Sequence, residues 1–311
     1  MSVQEELTAP GPTGPLKGTL TLPVGREPLR SKTPVFLIVP GSGPTDRDGN
    51  SPLGIAAGPY RLLAEALAER GFPSLRIDKR GMFGSSGAVS DPNDATIARY
   101  GDDLLSWTSA IQERLPAENG ARCVIVVGHS EGGLVALAAM SRSPCVCGLA
   151  LIASIGRPLH DVIREQLRAN PANAPFLDEA NAALTTLMRG ERVEGSTISE
   201  ALRPLFAPEV QGFLIDAFSY DPVELAAQVK VPVLVVQGTR DLQVSVADAQ
   251  ELARAAPHAT LALVPGVNHV LKTVSSDDPS ENLATYANPT LPISPAVVHA
   301  IAQFAEKIME E

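Results

Sequence analysis

The sequence has few cysteines, no long apolar run and no excess of basic residues. Cys145 and Cys147 are too close along the chain to form an ordinary disulfide with each other, and the third cysteine, Cys123, adds no metal-binding spacing. We therefore expect reduced thiols and a cytoplasmic protein. No apolar run reaches the length of a membrane-spanning helix, and residues 1–10 are acidic and lack the apolar core of a secretory signal.

The charge balance is acidic, with 25 Lys and Arg residues against 35 Asp and Glu residues and a net charge of −10. This balance disfavours nucleic acids and anionic membrane surfaces as partners. Hydrophobic residues make up 44% of the chain and charged residues 19%, which suffices for a sizeable core. A length of 311 residues fits one large α/β domain with an insertion. Composition selects neither a substrate nor an oligomeric state.

The most informative stretch is V-I-V-V-G-H-S-E-G-G, residues 124–133. Four apolar residues predict a buried strand, and an Ala- and Leu-rich helix is predicted over 134–140. A Gly-x-Ser-x-Gly turn between a strand and a helix is typical of a nucleophile elbow. Small neighbours let the strand and helix pass closely while a strained backbone exposes the serine hydroxyl. The pattern predicts that Ser130 is the nucleophile. The alternative is that the motif is an incidental turn.

Strands and helices alternate through most of the chain. Strands are predicted at 18–23, 34–40, 74–78, 148–153, 231–237 and 261–264, and helices at 60–70, 97–115, 245 onward and 297–309. This alternation predicts an α/β fold whose central sheet is mostly parallel and has helices on both faces.

Between Ala153 and Val231 the alternation stops, and several helical stretches follow one another without a strand. We expect residues 155–228 to form a helical cap inserted between two core segments, 1–154 and 229–311. Ligands bind at the carboxyl edge of such sheets, where the cap would exclude water. The alternative is a helical layer with no role in binding.

A serine hydroxyl needs a base to accept its proton. His269 follows the last predicted strand and lies on a loop at the same edge as Ser130. His160, at the start of the insertion, is the alternative base. The remaining histidines are His129 in the elbow, His258 at the opposite edge and His299 on the last helix.

A buried carboxylate must orient that base and stabilise its charged form. Asp241 follows a predicted strand at the same edge, in Q-G-T-R-D-L-Q-V. The chain order Ser130, Asp241, His269 is the order given for α/β-hydrolases. Asp248, which is better placed as a helix cap, and Asp221, at the exit of the insertion, are the competing carboxylates.

Two backbone N–H groups are expected to form an oxyanion hole, those of Glu131 and Ser42. We further hypothesise that the Glu131 side chain pairs with Arg47 or Lys79 and holds the loop of Ser42 against the elbow. The charges of Asp46, Arg47 and Asp48 are expected to satisfy one another in a turn, and the alternative is that they recognise the substrate. The polar segment 272–293, with Tyr286 as its one aromatic residue, is either a flexible loop or a pocket wall.

These motifs, G-H-S-E-G-G, P-G-S-G-P-T-D-R-D-G-N, D-K-R-G-M-F-G-S-S, Q-G-T-R-D-L-Q-V and G-V-N-H, together resemble bacterial α/β-hydrolases of the EstD-type carboxylesterase group. The resemblance implies a serine hydrolase that cleaves small carboxylic esters, often with short acyl chains, through an acyl-enzyme. It implies no metal and no organic cofactor. The segment D-K-R-G-M-F-G departs from the group's commoner pattern by placing Met82 and Phe83 before Gly84.

Other functions use the same triad or the same fold. An acyl thioesterase would differ only in its pocket. An aminopeptidase would need a pocket carboxylate for the substrate amine, for which Glu165, Asp178 and Glu179 are candidates. A non-catalytic receptor for a small ligand is an alternative of another class.

Overall fold

The computed structural model describes residues 2–25, 29–118, 120–140, 145–276 and 278–310. Met1 and Glu311, the outer ends of the predicted core segments, lie outside the described residues. The strands of the central sheet are β1 (Ser2–Ala9), β2 (Leu16–Pro23), β3 (Val35–Val39), β4 (Ser74–Ile77), β5 (Val124–His129), β6 (Val146–Ile152), β7 (Val233–Gly238) and β8 (Thr260–Val264).

The eight-stranded sheet has the order β1-β2-β4-β3-β5-β6-β7-β8. Every pair from β4 to β8 is parallel, whereas β1 and β2 pair antiparallel to their neighbours. The predicted α/β architecture is thereby confirmed. Strand β1 has no counterpart in the sequence analysis, because its residues, S-V-Q-E-E-L-T-A, are half exposed and include no apolar run. It is an edge strand held by its register with β2.

Helices cover both faces of the sheet. They are α1 (Pro59–Glu69), α2 (Ile97–Arg114), α3 (Glu131–Ala139), α4 (Leu159–Ala169), α5 (Leu177–Met188), α6 (Arg203–Phe206), α7 (Gln211–Ala217), α8 (Pro222–Ala226), α9 (Val246–Ala255), α10 (Pro279–Ala284) and α11 (Pro295–Glu310). Successive residues of β3 enter opposite cores: Phe36 and Ile38 belong to the core that includes residues of α1 and α11, and Leu37 and Val39 belong to the core that includes residues of α2, α3 and α9. This two-sided burial explains the continuous apolar strand sequences.

The segment between β6 and β7 contains α4 to α8 and, in its described residues, no strand, as the sequence predicts. Helix α4 buries Leu159, Val162 and Ile163 and exposes charged residues on its other face. The segment is joined to the core by polar contacts as well: Gln166 donates to the carbonyl of Gln243 at 3.3 Å. None of the described helices has both the length and the apolar character needed to span a membrane.

The cysteines correct one expectation. The sulfur atoms of Cys123 and Cys147 are bonded to each other, and their Cα atoms lie 5.5 Å apart, so this pair is a disulfide rather than two reduced thiols. The physical reason is register: Val124 pairs with Val146 at the start of β5 and β6 and the register shifts at the next residue, so Cys123 and Cys147 lie diagonally across the two strands on the same face of the sheet. Cys145 is free. The cytoplasmic location, which rests on reduced thiols, stays a prediction.

Candidate active site

Ser130 lies in a sharp turn between β5 and α3. Its φ of 55° and ψ of −124° place a non-glycine residue in a region that side chains rarely adopt. A Cβ added to Gly128 would lie 2.5 Å from the carbonyl oxygen of Gly132, and one added to Gly132 would lie 2.4 Å from that of Val39. Close packing therefore requires glycine at both positions. The surrounding sheet and helix hold a strain of about 1–3 kcal/mol at Ser130.

Asp241 and His269 are hydrogen-bonded, with 2.8 Å between Oδ2 and Nδ1. The other carboxylate oxygen accepts the backbone N–H groups of Gln243 and Val244 at 2.7 and 3.0 Å. Burial opposes ionisation of Asp241, but the charge and hydrogen bond of His269 and the two N–H donors together lower the pKa of this carboxyl. Asp241 is thus an ionised, fixed acceptor that orients the imidazole.

The His269 imidazole lies at the elbow. Its ring centroid is 4.7 Å from that of His129, the residue directly before Ser130. Within the described residues, no hydrogen bond joins the Ser130 hydroxyl to His269. Such bonds are often long without a substrate and shorten when the reacting complex forms. The His269 ring and the turn of Ser130 thus lie at the same edge of the sheet, and the role of His269 as the base stays a prediction.

A side-chain cluster braces the loops of both residues. The Asn268 amide donates to Asn282 Oδ1 at 3.0 Å and to Thr285 Oγ1 at 2.7 Å. Asn282 in turn donates to the carbonyl of Arg240 at 2.6 Å. Asn268 and Arg240 directly precede His269 and Asp241, so α10 ties the two loops together. This contact gives the segment 272–293 a supporting role that its polar composition did not reveal.

A buried hydrogen-bonded chain runs beneath the site. The Gly41 N–H donates to Tyr60 Oη at 3.1 Å, and this hydroxyl lies 2.9 Å from His129 Nδ1. His129 Nε2 is 2.9 Å from the carbonyl oxygen of His269. Burial, together with the charge of His269, lowers the pKa of His129 to about 3. A neutral ring with its proton on Nε2 donates to that carbonyl and accepts from Tyr60, so every polar contact in the chain is satisfied.

Lys79 fixes the loop that follows β3. Its Nζ donates to the Gly41 carbonyl at 2.7 Å and to Glu131 Oε1 at 3.3 Å, and it lies 5.3 Å from the centre of the Tyr100 ring. A Cβ added to Gly41 would lie 3.1 Å from Ser130 Cβ, so this loop touches the elbow. Of the two partners hypothesised for the Glu131 side chain, Lys79 is therefore the one that pairs with it.

Arg47 has another partner, since it binds Asp78 at 2.6 Å. Asp48 pairs with Arg76 of β4, while Asp46 accepts the backbone N–H groups of Asp48 and Asn50, both at 2.8 Å. The charged turn is therefore satisfied largely by β4 and the chain following it rather than within itself. Its charges anchor the loop and do not face the site.

The competing residues have other partners. His160 Nδ1 lies 3.1 Å from Asp161, and its ring meets Phe218 edge-on. Asp248 forms the predicted capping box with Ser245 and also binds Arg157 at 3.0 Å, and Asp221 caps α8. His258 and His299 are exposed. Among the described residues, Asp241 and His269 are the only candidate carboxylate and candidate base that are hydrogen-bonded to each other.

A cavity of about 210 Å³ opens beside Ser130, Ser42 and Glu131. Its other walls come mainly from apolar residues of the insertion, including Leu159, Val162, Ile163 and Phe213. Among the described residues that line it, Glu131 alone is charged, and Lys79 pairs with it. The candidate amine-binding acids Glu165, Asp178 and Glu179 do not line this cavity. Glu165 pairs with Arg157, and Glu179 accepts the N–H of Ser199. The cavity suits an uncharged, apolar ligand.

The backbone N–H groups proposed for the oxyanion hole belong to residues at this cavity, Ser42 and Glu131. Glu131 begins α3, so its N–H is free of the helix's own hydrogen-bond ladder and lies at the positive end of the helix dipole. Across the described part of the chain, no group of three or more His, Cys, Asp or Glu side chains could hold a metal ion.

Comparison with known proteins places the chain in a class. A family model described as serine aminopeptidase, S33, matches residues 53–273, and the chain belongs to this family. The family confirms the predicted class, an enzyme of the serine hydrolase type. It does not by itself identify the bond that is cleaved.

Individual relatives bear out the resemblance found in the motifs. Esterase EstD of Thermotoga maritima is 29% identical over 237 residues, which cover 75% of this chain and 52% of the relative. The chain thus spans about half the length of this curated relative. Est1E from Butyrivibrio proteoclasticus has 17% identity and a TM-score of 0.57, and 98% of this chain and 99% of that one are covered.

A puromycin-hydrolysing peptidase of Mycobacterium tuberculosis has 17% identity and a TM-score of 0.61, covering 99% of this chain and 39% of the peptidase. At these identities the solved structures establish the fold, which is the predicted α/β-hydrolase fold.

Proposed function

We propose that this chain hydrolyses small, uncharged carboxylic esters with short acyl chains through a triad of Ser130, His269 and Asp241. One observation carries the proposal: an ionised, buried Asp241 lies 2.8 Å from His269, whose ring lies against the residue before the strained Ser130. An apolar cavity opens directly beside this serine. The likeness to Esterase EstD supports the choice of an ester bond.

In the first half of the proposed reaction, Ser130 Oγ attacks the ester carbonyl while His269 Nε2 accepts the hydroxyl proton. The backbone N–H groups of Glu131 and Ser42 stabilise the oxyanion that forms. The imidazolium, held by Asp241, then protonates the leaving alcohol as its bond to carbon breaks. Water attacks the acyl-enzyme while His269 accepts one of its protons. His269 then returns this proton to Ser130 Oγ as the bond between Oγ and the acyl carbon breaks, which releases the carboxylic acid and restores the free serine.

The helices of residues 155–228 act as the cap in this proposal, with core segments 1–154 and 229–311 on either side. Support comes from the cavity walls, since α4, α6 and α7 supply most of the apolar residues that line the cavity beside Ser130. Apolar walls exclude water, which strengthens the electrostatic interactions with the reacting atoms. They also recognise the substrate by apolar contact rather than by charge.

The test is the turnover of a substrate panel by the wild type and by Ser130→Ala. The panel contains acyl esters of graded chain length, the matching thioesters and aminoacyl amides. We expect ester turnover that falls by about 10⁶-fold in Ser130→Ala. The matched control is Ser109→Ala, which removes an exposed hydroxyl of α2 and should retain full rates. Preferred cleavage of thioesters or aminoacyl amides would replace the ester proposal, and full activity of Ser130→Ala would end it.

A further inference from the structure

Two chambers adjoin each other near the turn of Ser130, and of these two Ser130 lines the first. The chamber described above is lined by Gln243 and Val244 of the loop after β7, and we name it the β7-side chamber. A second chamber of about 170 Å³ is lined by Lys79, Arg80 and Met82 of the loop after β4, and we name it the β4-side chamber. Both chambers are lined by Gly43, Glu131, Val210 and Phe213, which therefore form the boundary between them.

Strand order places the chambers on opposite sides of the nucleophile. Ser130 follows β5, which has β3 and then β4 on one side and β6 and then β7 on the other. Asp241 follows β7, and His269 follows β8, still farther in the β7 direction. The base therefore approaches Ser130 from the side of the β7-side chamber.

We infer that the β4-side chamber binds the acyl group of the ester and that the β7-side chamber binds the alcohol. The inference rests on the proposed function. His269 must protonate the alcohol oxygen as it leaves, so that oxygen lies toward the imidazole. The carbonyl oxygen is directed to the N–H groups of Ser42 and Glu131. The remaining substituent of the carbonyl carbon, the acyl chain, then extends away from His269 toward β4.

The β4-side chamber selects compact, uncharged acyl groups. Its walls include Val89, Pro92, Ala95 and Phe213. Its volume is close to the ~150 Å³ of an apolar protein cavity that holds one benzene molecule, so acyl chains of about six carbons should fill it.

The cations of the β4-side chamber are paired, Lys79 with Glu131 and Arg80 with Asp103 at 2.5 Å. Glu209 lies exposed among the lining residues and repels an anionic acyl group. Charge and size in this chamber thus favour the same short, neutral acyl chains.

A pair of matched truncations tests the assignment. Met82→Ala enlarges the β4-side chamber and Ile163→Ala enlarges the β7-side chamber, each by removing an apolar side chain beyond Cβ. Rates are measured for p-nitrophenyl esters from acetate to decanoate and for acetates from methyl to hexyl. We expect Met82→Ala to raise the decanoate-to-butyrate ratio of kcat/KM by about tenfold and leave the alcohol series unchanged. Ile163→Ala should raise only the hexyl-to-methyl ratio.

Ala95→Leu, which narrows the β4-side chamber, supplies a second variant and should shift the acyl optimum to shorter chains. Circular dichroism confirms that each variant is folded. The assignment is overturned if Met82→Ala changes the kcat/KM ratios within the alcohol series. It is also overturned if the ratios stay unchanged in all three variants. These outcomes leave ester turnover intact, whereas a wild type that turns over no ester refutes the proposed function itself.

Discussion

Two parts of the candidate site differ in chemistry. We call the buried polar residues below Ser130 the floor of the site and the residues of α4 and α7 above it the roof. Below Ser130, polar side chains are buried and paired, as in the chain from Gly41 through Tyr60 and His129 to the His269 carbonyl. Above it, α4 and α7 present mainly apolar side chains such as Val162 and Phe213.

Buried polar groups fix atoms in place, because each lost partner leaves a desolvated donor or acceptor. Apolar contacts determine which substrates fit the cavity, and they tolerate side-chain substitution more readily. We therefore expect floor variants to lower kcat or stability and roof variants to change substrate binding.

After Ser130→Ala, the largest effect is expected for Asp241→Asn. An asparagine amide can donate to Nδ1 and stabilise the tautomer that carries its proton on Nε2, which cannot accept the proton of Ser130. The expected loss in kcat is about 10⁴-fold with little change in KM. Steady-state kinetics measure it, and Asp221→Asn, which keeps the cap of α8, is the control. A loss below tenfold would show that another group orients the base.

The next effect concerns Lys79. Lys79→Met frees the Gly41 carbonyl and leaves Glu131 buried without its partner, so we expect about 10²-fold lower kcat and a loss of about 3–5 kcal/mol in unfolding free energy. Adding Glu131→Gln removes the unpaired charge and should restore much of the stability without restoring kcat. If both recovered together, the contact with Gly41 would have no part in positioning the loop.

A third prediction concerns the pH dependence of stability. The folded state holds the pKa of His129 at about 3, below its ordinary value of 6.5. Below pH 6.5 the unfolded chain therefore binds more protons, and stability is lost as the pH falls toward 3. The slope from this residue is at most about 1.4 kcal/mol per pH unit.

Urea unfolding of the wild type and of His129→Gln between pH 7 and pH 4 measures this slope. The variant lacks the titrating ring, so its stability deficit relative to the wild type should shrink with acidification. The exposed His258→Gln serves as the control. A deficit that stays constant over this range would contradict a buried, neutral His129.

The smallest effect is expected in the roof. Phe213→Ala removes one wall shared by both chambers, and we expect KM to rise about fivefold for a mid-length ester with kcat almost unchanged, because a contact made equally to substrate and transition state is lost. Phe83→Ala, at a 42% exposed residue outside both chambers, should leave KM unchanged. A drop in kcat larger than the change in KM would place Phe213 with the floor.

The principal elements are predictable from the sequence because their signals are local. The apolar run before G-H-S-E-G identified β5 and the elbow, and Ser245 with Asp248 identified the start of α9. The positions of Asp241 and His269 followed from loop order after parallel strands. Strand β1 and the partnership of Asn282 with Asn268 and Arg240 carry no such signal, since each depends on a distant segment.

The chain by itself determined the fold class, the strained turn at Ser130 and the order of the three candidate side chains, since periodicity and glycine spacing act over a few residues. Only the tertiary structure decided that Lys79 rather than Arg47 pairs with Glu131. It likewise decided that Cys123 and Cys147 are bonded and that the cavity has two chambers. These features join residues far apart in sequence, and strand register and packing, which no short segment encodes alone, bring them together.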